Sequence, residues 1–260
     1  MLFADDLVLC DRDADGMEGR LEDWRKHLED AGLKLSRTKT EYMPPTGATR
    51  KITLKNYNQQ DHSEVPEKTA FKYLGTMIDQ DGGCGAEIAR RIGAAWDRWR
   101  DLTGVLCDKK VPTKLKVLLY KTSIKPTLMY GSETWPVTQR MEDRMDATEM
   151  RMLRHIYGIS YEDHVENIEI RRQAGVISTY MRKRRLQWHG HVCRREEEED
   201  IRQVTNLVVG GKRRRGRPRQ RWKDTIKSDM SRWGLEQEDV NNRVRWHSLI
   251  ELGASRTATR

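Results

Sequence analysis

The stretch Phe3-Ala4-Asp5-Asp6 carries two carboxylates between the apolar runs Met1–Phe3 and Leu7–Cys10. Apolar and β-branched residues on either side of a polar pair are typical of two strands joined by a tight turn. The stretch therefore predicts a β-hairpin with two carboxylates at its tip. Because like charges repel, we expect a cation that prefers hard oxygen ligands, Mg²⁺ or Mn²⁺, to neutralise Asp5 and Asp6. The alternative is a solvated turn without a ligand.

The chain as a whole is basic and highly charged. Its 260 residues include 49 Lys and Arg against 40 Asp and Glu, a net charge of +9. This balance favours RNA or DNA as partner, and an acidic substrate or an anionic membrane surface stays open. A hydrophobic fraction of 36% beside a charged fraction of 34% predicts a modest core with much solvated helix. The four cysteines lack paired spacing, and neither a signal peptide nor a long apolar span is visible. We therefore expect an intracellular chain, nuclear or cytoplasmic, without a membrane partner.

Hydrophobic periodicity divides the chain into a mixed α and β part followed by helices, an α+β fold class. The first part predicts a helix over Asp15–Ala31 and short strands over Lys51–Leu54 and Phe71–Ile78. The later predicted helices are Gly85–Leu106, Pro112–Ile124 (interrupted at Lys125-Pro126), Met141–Ile156, Val165–Ala174, Ser178–Cys193, Trp222–Trp233 and Gln237–Leu249. Opposite charge blocks predict an exposed, mobile junction near residues 196–221. We expect three regions, residues 1–82, 83–160 and 161–260.

Several motifs in order resemble reverse transcriptases of non-LTR (LINE-like) retrotransposons. The segments similar to the last three palm motifs are Phe3-Ala4-Asp5-Asp6, Gly32–Leu35 followed by Lys39-Thr40-Glu41, and Phe71–Gly75. The segments that resemble the thumb and the C-terminal extension are Tyr130–Trp135, Arg185–Val192 and Arg215–Pro218. The resemblance covers nearly the whole chain. It implies a truncated polymerase palm over 1–82, a helical thumb-like region over 83–160 and a basic helical extension over 161–260.

The resemblance implies that the chain is the C-terminal part of an RNA-directed DNA polymerase and that it binds an RNA or DNA template-primer. Asp5 and Asp6 would be the catalytic, metal-binding carboxylates, and Lys39 would lie near the incoming triphosphate. The segment similar to the primer grip contains Phe71, Tyr73, Leu74 and Gly75. In the complete enzyme the cofactor would be Mg²⁺ or Mn²⁺, with two cations that activate the attacking oxygen of the primer and stabilise the leaving oxygen of the nucleotide. The palm motif that supplies a further aspartate is absent from this sequence, so we expect no polymerase activity without the missing N-terminal part.

Two basic segments are candidate nucleic-acid contacts. The helix over Ser178–Cys193 contains Arg182, Lys183, Arg184 and Arg185, and we expect these to face nucleic acid. The run Lys212–Lys223 contains Arg213, Arg214, Arg215, Arg217, Arg219 and Arg221. Its centre, Arg215-Gly216-Arg217-Pro218, resembles an AT-hook, whose arginines enter a narrow A·T minor groove. The alternative for this run is a nuclear-localisation or nonspecific phosphate-binding segment.

The segment Trp188–Cys193 offers two histidines and a cysteine, which are good zinc ligands. A fourth ligand is missing nearby, so we expect a buried Trp188 flanked by basic residues that face nucleic acid, rather than a zinc site. Two other functions stay open beside the polymerase fragment. One is a noncatalytic nucleic-acid-binding protein derived from such an element, and the other is a helical interaction protein without a nucleic-acid role.

Overall fold

The computed structural model describes residues 2–45, 48–55, 61–172, 174–207 and 220–258. It divides into two compact units, Met1–Glu87 and Ile88–Arg260. This division lies close to the predicted boundary between residues 82 and 83, whereas the boundary predicted between 160 and 161 falls inside the second unit. All described strands belong to the first unit, and helices occur in both. The fold class is therefore α+β, as predicted.

The first unit contains three two-stranded antiparallel sheets and one long helix. The elements are β1 (Leu2–Phe3), β2 (Asp6–Leu7), α1 (Ala14–Asp30), β3 (Thr53–Lys55), β4 (His62–Glu64), β5 (Ala70–Tyr73) and β6 (Thr76–Asp79). The side chain of Asp13 accepts a hydrogen bond from Gly16 N at 2.8 Å and caps α1. Leu21 on α1 and Leu54 on β3 belong to a small core with Tyr42, Ile52 and Val65.

The second strand prediction, Phe71–Ile78, is corrected by the structure to two strands. Leu74 and Gly75 adopt positive φ angles of 46° and 78°, which reverse the chain between β5 and β6. Such a two-residue turn matches the twist of a hairpin. The strand β4 was not predicted, because His62-Ser63-Glu64 lacks an apolar alternation and is extended through its pairing with β3.

The regular secondary structure in the described part of the second unit is entirely helical. They are α2 (Gly85–Asp101, which begins in the first unit), α3 (Thr103–Leu106), α4 (Thr113–Leu119), α5 (Lys125–Met129), α6 (Gln139–Tyr157), α7 (Asn167–Arg171), α8 (Ile177–Cys193), α9 (Asp200–Asn206), α10 (Trp222–Trp233) and α11 (Arg243–Ala258). Short 3₁₀ turns occur at Ser132–Thr134 and Glu238–Asn241. None of the helices in the described residues combines the length and apolar character needed to cross a membrane.

The chain stays helical through Lys125-Pro126, where the sequence predicts an interruption. A π-helical turn, Tyr120–Ile124, joins α4 to α5. Pro126 then lies in the first turn of α5, where a missing N–H is tolerated. The helix predicted over Met141–Ile156 is present as α6, Gln139–Tyr157. Gly158 follows it with a left-handed backbone conformation, which is the usual way for a helix to end at glycine. In the predicted junction, Asp200–Asn206 is helical, and residues 208–219 lie outside the described residues.

Buried Glu149 on α6 fixes the start of α8. Its carboxylate accepts hydrogen bonds from the Tyr120 hydroxyl and from Ile177 N, both at 2.9 Å, and lies 3.3 Å from Lys125 Nζ. Glu149 is fully buried, and burial raises its pKa. The carboxylate thus joins the π-helical turn, α6 and the first residue of α8.

One hydrophobic core of the second unit, the C-terminal core, lies where α8, α10 and α11 meet. Its buried members are Leu186, Ile226, Met230, Trp233, Leu235, Val240, Trp246 and Ile250. Trp246 Nε1 donates a hydrogen bond to Leu186 O at 3.0 Å. A Cβ atom at Gly190 would lie 2.3 Å from that Nε1 atom, so only glycine allows this approach of α8 to α11.

Candidate functional site

The acidic hairpin predicted at the start of the chain is present in the first unit. Leu2 pairs with Leu7 and Phe3 with Asp6, so Ala4-Asp5 form the turn and Asp6 belongs to β2. Both carboxylates are exposed. The described residues contain no group of three or more His, Cys, Asp and Glu that could hold a metal ion. By themselves, Asp5 and Asp6 therefore do not form the two-cation site that phosphoryl transfer in a polymerase needs, and their metal role stays a prediction.

The other residues assigned by resemblance in the first unit lie at its surface. Lys39 is exposed in a turn in which its backbone N–H donates to Ser36 O at 3.2 Å. The β5–β6 hairpin carries the predicted primer-grip residues Phe71, Tyr73, Leu74 and Gly75. Its strand β6 is held by Glu87, whose buried carboxylate accepts a hydrogen bond from Met77 N at 2.7 Å. Among the described residues, no hydrogen bond or ion pair joins Lys39 to Asp5 or Asp6. The nucleotide and primer roles of these residues stay predictions.

In the second unit, α8 carries arginines on two different faces. Arg182 and Arg185 face inward and are 2% and 0% exposed. Arg182 Nε donates to Asp229 Oδ1 at 2.8 Å, and Arg185 Nε donates to Asp229 Oδ2 at 2.7 Å. Arg185 Nη2 also donates to Glu142 Oε1 at 3.0 Å. We call these four residues the buried ion cluster.

The buried ion cluster changes the interpretation of the basic helix. Its two arginines and two carboxylates balance in charge, and they join α8 to α6 through Glu142 and to α10 through Asp229. Buried charges are tolerated when they are paired in this way. The sequence prediction that Arg182 and Arg185 face nucleic acid is therefore corrected: the structure assigns these two side chains to the interior.

The opposite face of α8 borders two adjoining clefts. We call the first the aromatic cleft. Its volume is about 570 Å³, and it is lined by Glu133, Tyr180, Lys183, Arg184, Gln187, Trp188 and His191. We call the second the cationic cleft. Its volume is about 430 Å³, and it is lined by Gln187, His191, Arg194, Arg195, Arg243 and His247. Gln187 and His191 belong to both clefts, so the two form one continuous surface, the outer surface of α8.

The aromatic cleft combines ring faces with partly exposed cations. The Trp188 and His191 rings stack with their centroids 5.3 Å apart and their planes 22° apart. Tyr180 is 46% exposed. Lys183 lies 2.6 Å from a carboxylate oxygen of Glu251, and Arg184 lies 3.7 Å from one of Glu133. The Arg184 side chain is 46% exposed, and an ion pair at such a position contributes little to stability, whereas Lys183 is 26% exposed and held close to Glu251. Arg184 is therefore the more accessible of the two cations.

The cationic cleft has no carboxylate among its lining residues. Arg194 is fixed by a hydrogen bond from Nη1 to Val240 O at 2.9 Å. Burial lowers the pKa of Arg194, and the positive charge of Arg243 lowers it further. Arg243 has no ion-pair partner within the described ranges. Arg195 Nε lies 3.4 Å from His191 Nε2, at the border with the aromatic cleft.

The two histidines of Trp188-His189-Gly190-His191 lie on different sides of α8. His191 faces the clefts, whereas His189 lies 3.5 Å from the Cys193 sulfur and 3.4 Å from Gln237 Oε1. Desolvation on burial lowers the pKa of His189, against the raising effect of the Gln237 hydrogen bond. This arrangement places the His189 ring beside the core and on a different side of α8 from His191, so the two rings are not paired around one ion.

Some members of the outer surface were not predicted from the sequence. Tyr180, Gln187 and His191 lie three or four residues before or after Lys183, Arg184 or Trp188, a signal that the helix periodicity does contain. Trp188 itself, predicted to be buried, is partly exposed and lines the aromatic cleft. Arg243 and His247 come from α11, and no local pattern connects them with α8. Of the predicted basic run, Arg221 is described and exposed, beside the first turn of α10. Outside the described residues lie Arg213, Arg214, Arg215, Arg217 and Arg219, whose predicted contacts stay predictions.

Comparison with known proteins gives one informative similarity. No protein-family model matches the chain, and no solved structure matches it. The chain is 27% identical over 265 residues to an uncharacterized transposon-derived protein of Caenorhabditis elegans. The aligned region covers 95% of this chain and 93% of that protein. This similarity indicates a transposon origin.

Proposed function

We propose that this chain is a nucleic-acid-binding protein derived from the C-terminal part of a non-LTR retrotransposon reverse transcriptase, and that it contacts RNA or DNA through the outer surface of α8. One observation carries the proposal. The helix buries Arg182 and Arg185 against carboxylates, while Lys183 and Arg184 on its other face line the aromatic cleft with Tyr180 and Trp188. Beyond the end of the helix, Arg194, Arg195 and Arg243 line the adjoining cationic cleft. Lys and Arg provide most protein contacts to phosphate oxygens, and aromatic rings provide faces for bases.

Charge and ancestry support the same function. The net charge of +9 gives a polyanion a general attraction to the chain. The cationic cleft adds a local site at which positive charge is not balanced by lining carboxylates. A transposon-derived relative is consistent with a chain whose ancestor handled nucleic acid. The ordered resemblance of the acidic hairpin, the Lys39 segment and the β5–β6 hairpin to palm motifs supports a reverse transcriptase as that ancestor.

A catalytic function is the second candidate, and the acidic hairpin is the observation that favours it. In-line attack on a nucleotide α-phosphate uses two cations, which are held by carboxylates from more than one palm segment. Asp5 and Asp6 lie side by side on one hairpin, and the described residues bring no third carboxylate to them. We therefore propose that this chain binds nucleic acid without extending a primer.

The binding proposal predicts a specific change in salt dependence. We expect the double variant Arg184→Gln/Arg243→Gln to bind a single-stranded oligonucleotide with a log K against log salt slope that is shallower by about 1.4. The reason is that each lost phosphate contact to a single strand removes about 0.7 from the slope. Fluorescence anisotropy over a salt series measures it. The matched control is Lys109→Gln/Lys110→Gln, which removes the same charge from exposed residues that line neither cleft. Equal effects of the two variants would contradict the assignment to α8.

The proposal that the chain is noncatalytic predicts no primer extension. With Mg²⁺ or Mn²⁺, all four nucleotides and a template-primer that the chain binds in a gel-shift assay, we expect no incorporation, because the two hairpin carboxylates lack a third. Incorporation by the wild-type chain that disappears in the Asp5→Ala variant would show instead that the hairpin is catalytic.

A further inference from the structure

We propose that the outer surface of α8 recognises an unpaired nucleotide, with the base in the aromatic cleft and its phosphate in the cationic cleft. This inference rests on the proposed nucleic-acid binding and narrows it to single strands. It assigns different tasks to the two clefts and makes Trp188 the residue on which the base stacks.

The aromatic cleft has the size and the chemistry for a nucleobase. Its volume of about 570 Å³ falls within the range of about 300–1,000 Å³ that is typical of ligand pockets. The Trp188 ring is held in a defined plane by its stack on His191. Tyr180 adds a second ring to the same lining. Every base has a π-face, so such a cleft accepts bases without requiring one sequence.

The cationic cleft has the chemistry for a phosphate. Arg194 is oriented by Val240 O, and Arg243 bears a charge that repels the Arg194 guanidinium. An anion between the two relieves this repulsion, because it is attracted to both. Arg195 completes the lining on the side that faces His191. Three guanidinium groups without a lining carboxylate therefore favour phosphate over a neutral or basic ligand.

The connection between the clefts is what points to a nucleotide. A nucleotide carries a flat apolar base and a charged phosphate a short distance apart. The clefts offer a ring-lined space and a guanidinium-lined space that share Gln187 and His191. The Gln187 side-chain amide at this border can donate to or accept from a base edge. In a duplex the base faces are stacked on one another, so a duplex reaches only the cationic cleft.

The test compares three ligands on the full chain by fluorescence anisotropy. They are a single-stranded oligonucleotide, the same strand with abasic sites and intact phosphates, and its duplex. We expect the intact single strand to bind at least about fivefold more tightly than the abasic strand, because stacking of one base on an aromatic side chain contributes that much or more. Equal affinity for all three ligands would overturn this inference but leave the proposed function standing, whereas no binding to any of them would overturn the proposed function itself.

Variants assign the effect to Trp188. We expect Trp188→Ala to lose about fivefold or more in affinity for the intact strand and little for the abasic strand, with Trp188→Phe retaining most of the affinity. The control is Tyr161→Ala, which removes a 73% exposed ring outside both clefts. An equal loss on both strands, or no loss, would overturn the role of Trp188. Because the abasic comparison uses the wild-type chain, it decides the inference even if Trp188→Ala does not fold. Competition by uridine monophosphate at oligonucleotide-like concentrations would show that a free nucleotide, rather than a strand, is the ligand.

Discussion

Replacing Arg185 by methionine is expected to lower the free energy of unfolding by about 3–5 kcal/mol, the usual cost of removing one partner from a buried ion pair. Arg185 is fully buried and donates to both Asp229 and Glu142. Methionine fills much of the volume of the arginine stem, but it leaves two buried carboxylates with Arg182 as their one remaining partner in the cluster. The measurement is urea-induced unfolding followed by tryptophan fluorescence.

The neighbouring residue provides the matched control. Arg184→Met makes the same substitution one position earlier on the same helix, where the guanidinium is 46% exposed and its ion-pair distance is 3.7 Å. We expect this variant to change the free energy of unfolding by no more than about 1 kcal/mol, since exposed ion pairs contribute about that much or less. Similar small losses in both variants would contradict the separation of α8 into a structural and a binding face.

The second large effect is expected from Gly190→Ala. The new methyl group would lie 2.3 Å from Trp246 Nε1, well inside contact distance, and Trp246 is completely buried in the C-terminal core. The indole has to move, which also breaks its hydrogen bond to Leu186 O. Overpacking of this kind costs about 1–3 kcal/mol, and the lost hydrogen bond adds about 1 kcal/mol. We therefore expect a loss of about 3 kcal/mol in thermal or urea unfolding.

Gly93→Ala is the control for this substitution. Gly93 lies inside α2, and a Cβ atom there would meet nothing within 4 Å. Without a clash, alanine is the better helix former by about 1 kcal/mol, so we expect this variant to be more stable than the wild type. If Gly190→Ala were as stable as the wild type or more stable, as expected of Gly93→Ala, the close approach of α8 to α11 at Gly190 would not be present in solution.

Local features of the fold were predictable from the sequence because short-range chemistry determines them. The acidic turn after Phe3 and the end of the helix predicted over Met141–Ile156 are each determined by residues within a few positions. The strand β4 depends on its partner β3. The path through Pro126 depends on a π-helical turn that local propensities do not indicate.

The binding surface was only partly predictable, for a related reason. The cations of α8 follow one another at Arg182, Lys183, Arg184 and Arg185 and so point to every side of the helix, which means that the sequence does not indicate which arginines turn inward. The choice is made by Glu142 and Asp229, which are 43 and 44 residues away from Arg185 along the chain. Likewise, Arg243 enters the cationic cleft only because Gly190 allows α11 to pack closely on α8.

The most direct test of nucleic-acid binding by the outer surface of α8 is photocrosslinking of the full chain to a single-stranded RNA that contains 4-thiouridine, followed by mass spectrometry of the crosslinked peptides. We predict crosslinks on α8 in the segment that contains Tyr180, Trp188 and His191, because these side chains line the aromatic cleft. Crosslinks confined to residues 212–223 or to the unit Met1–Glu87, with none on α8, would contradict the proposal.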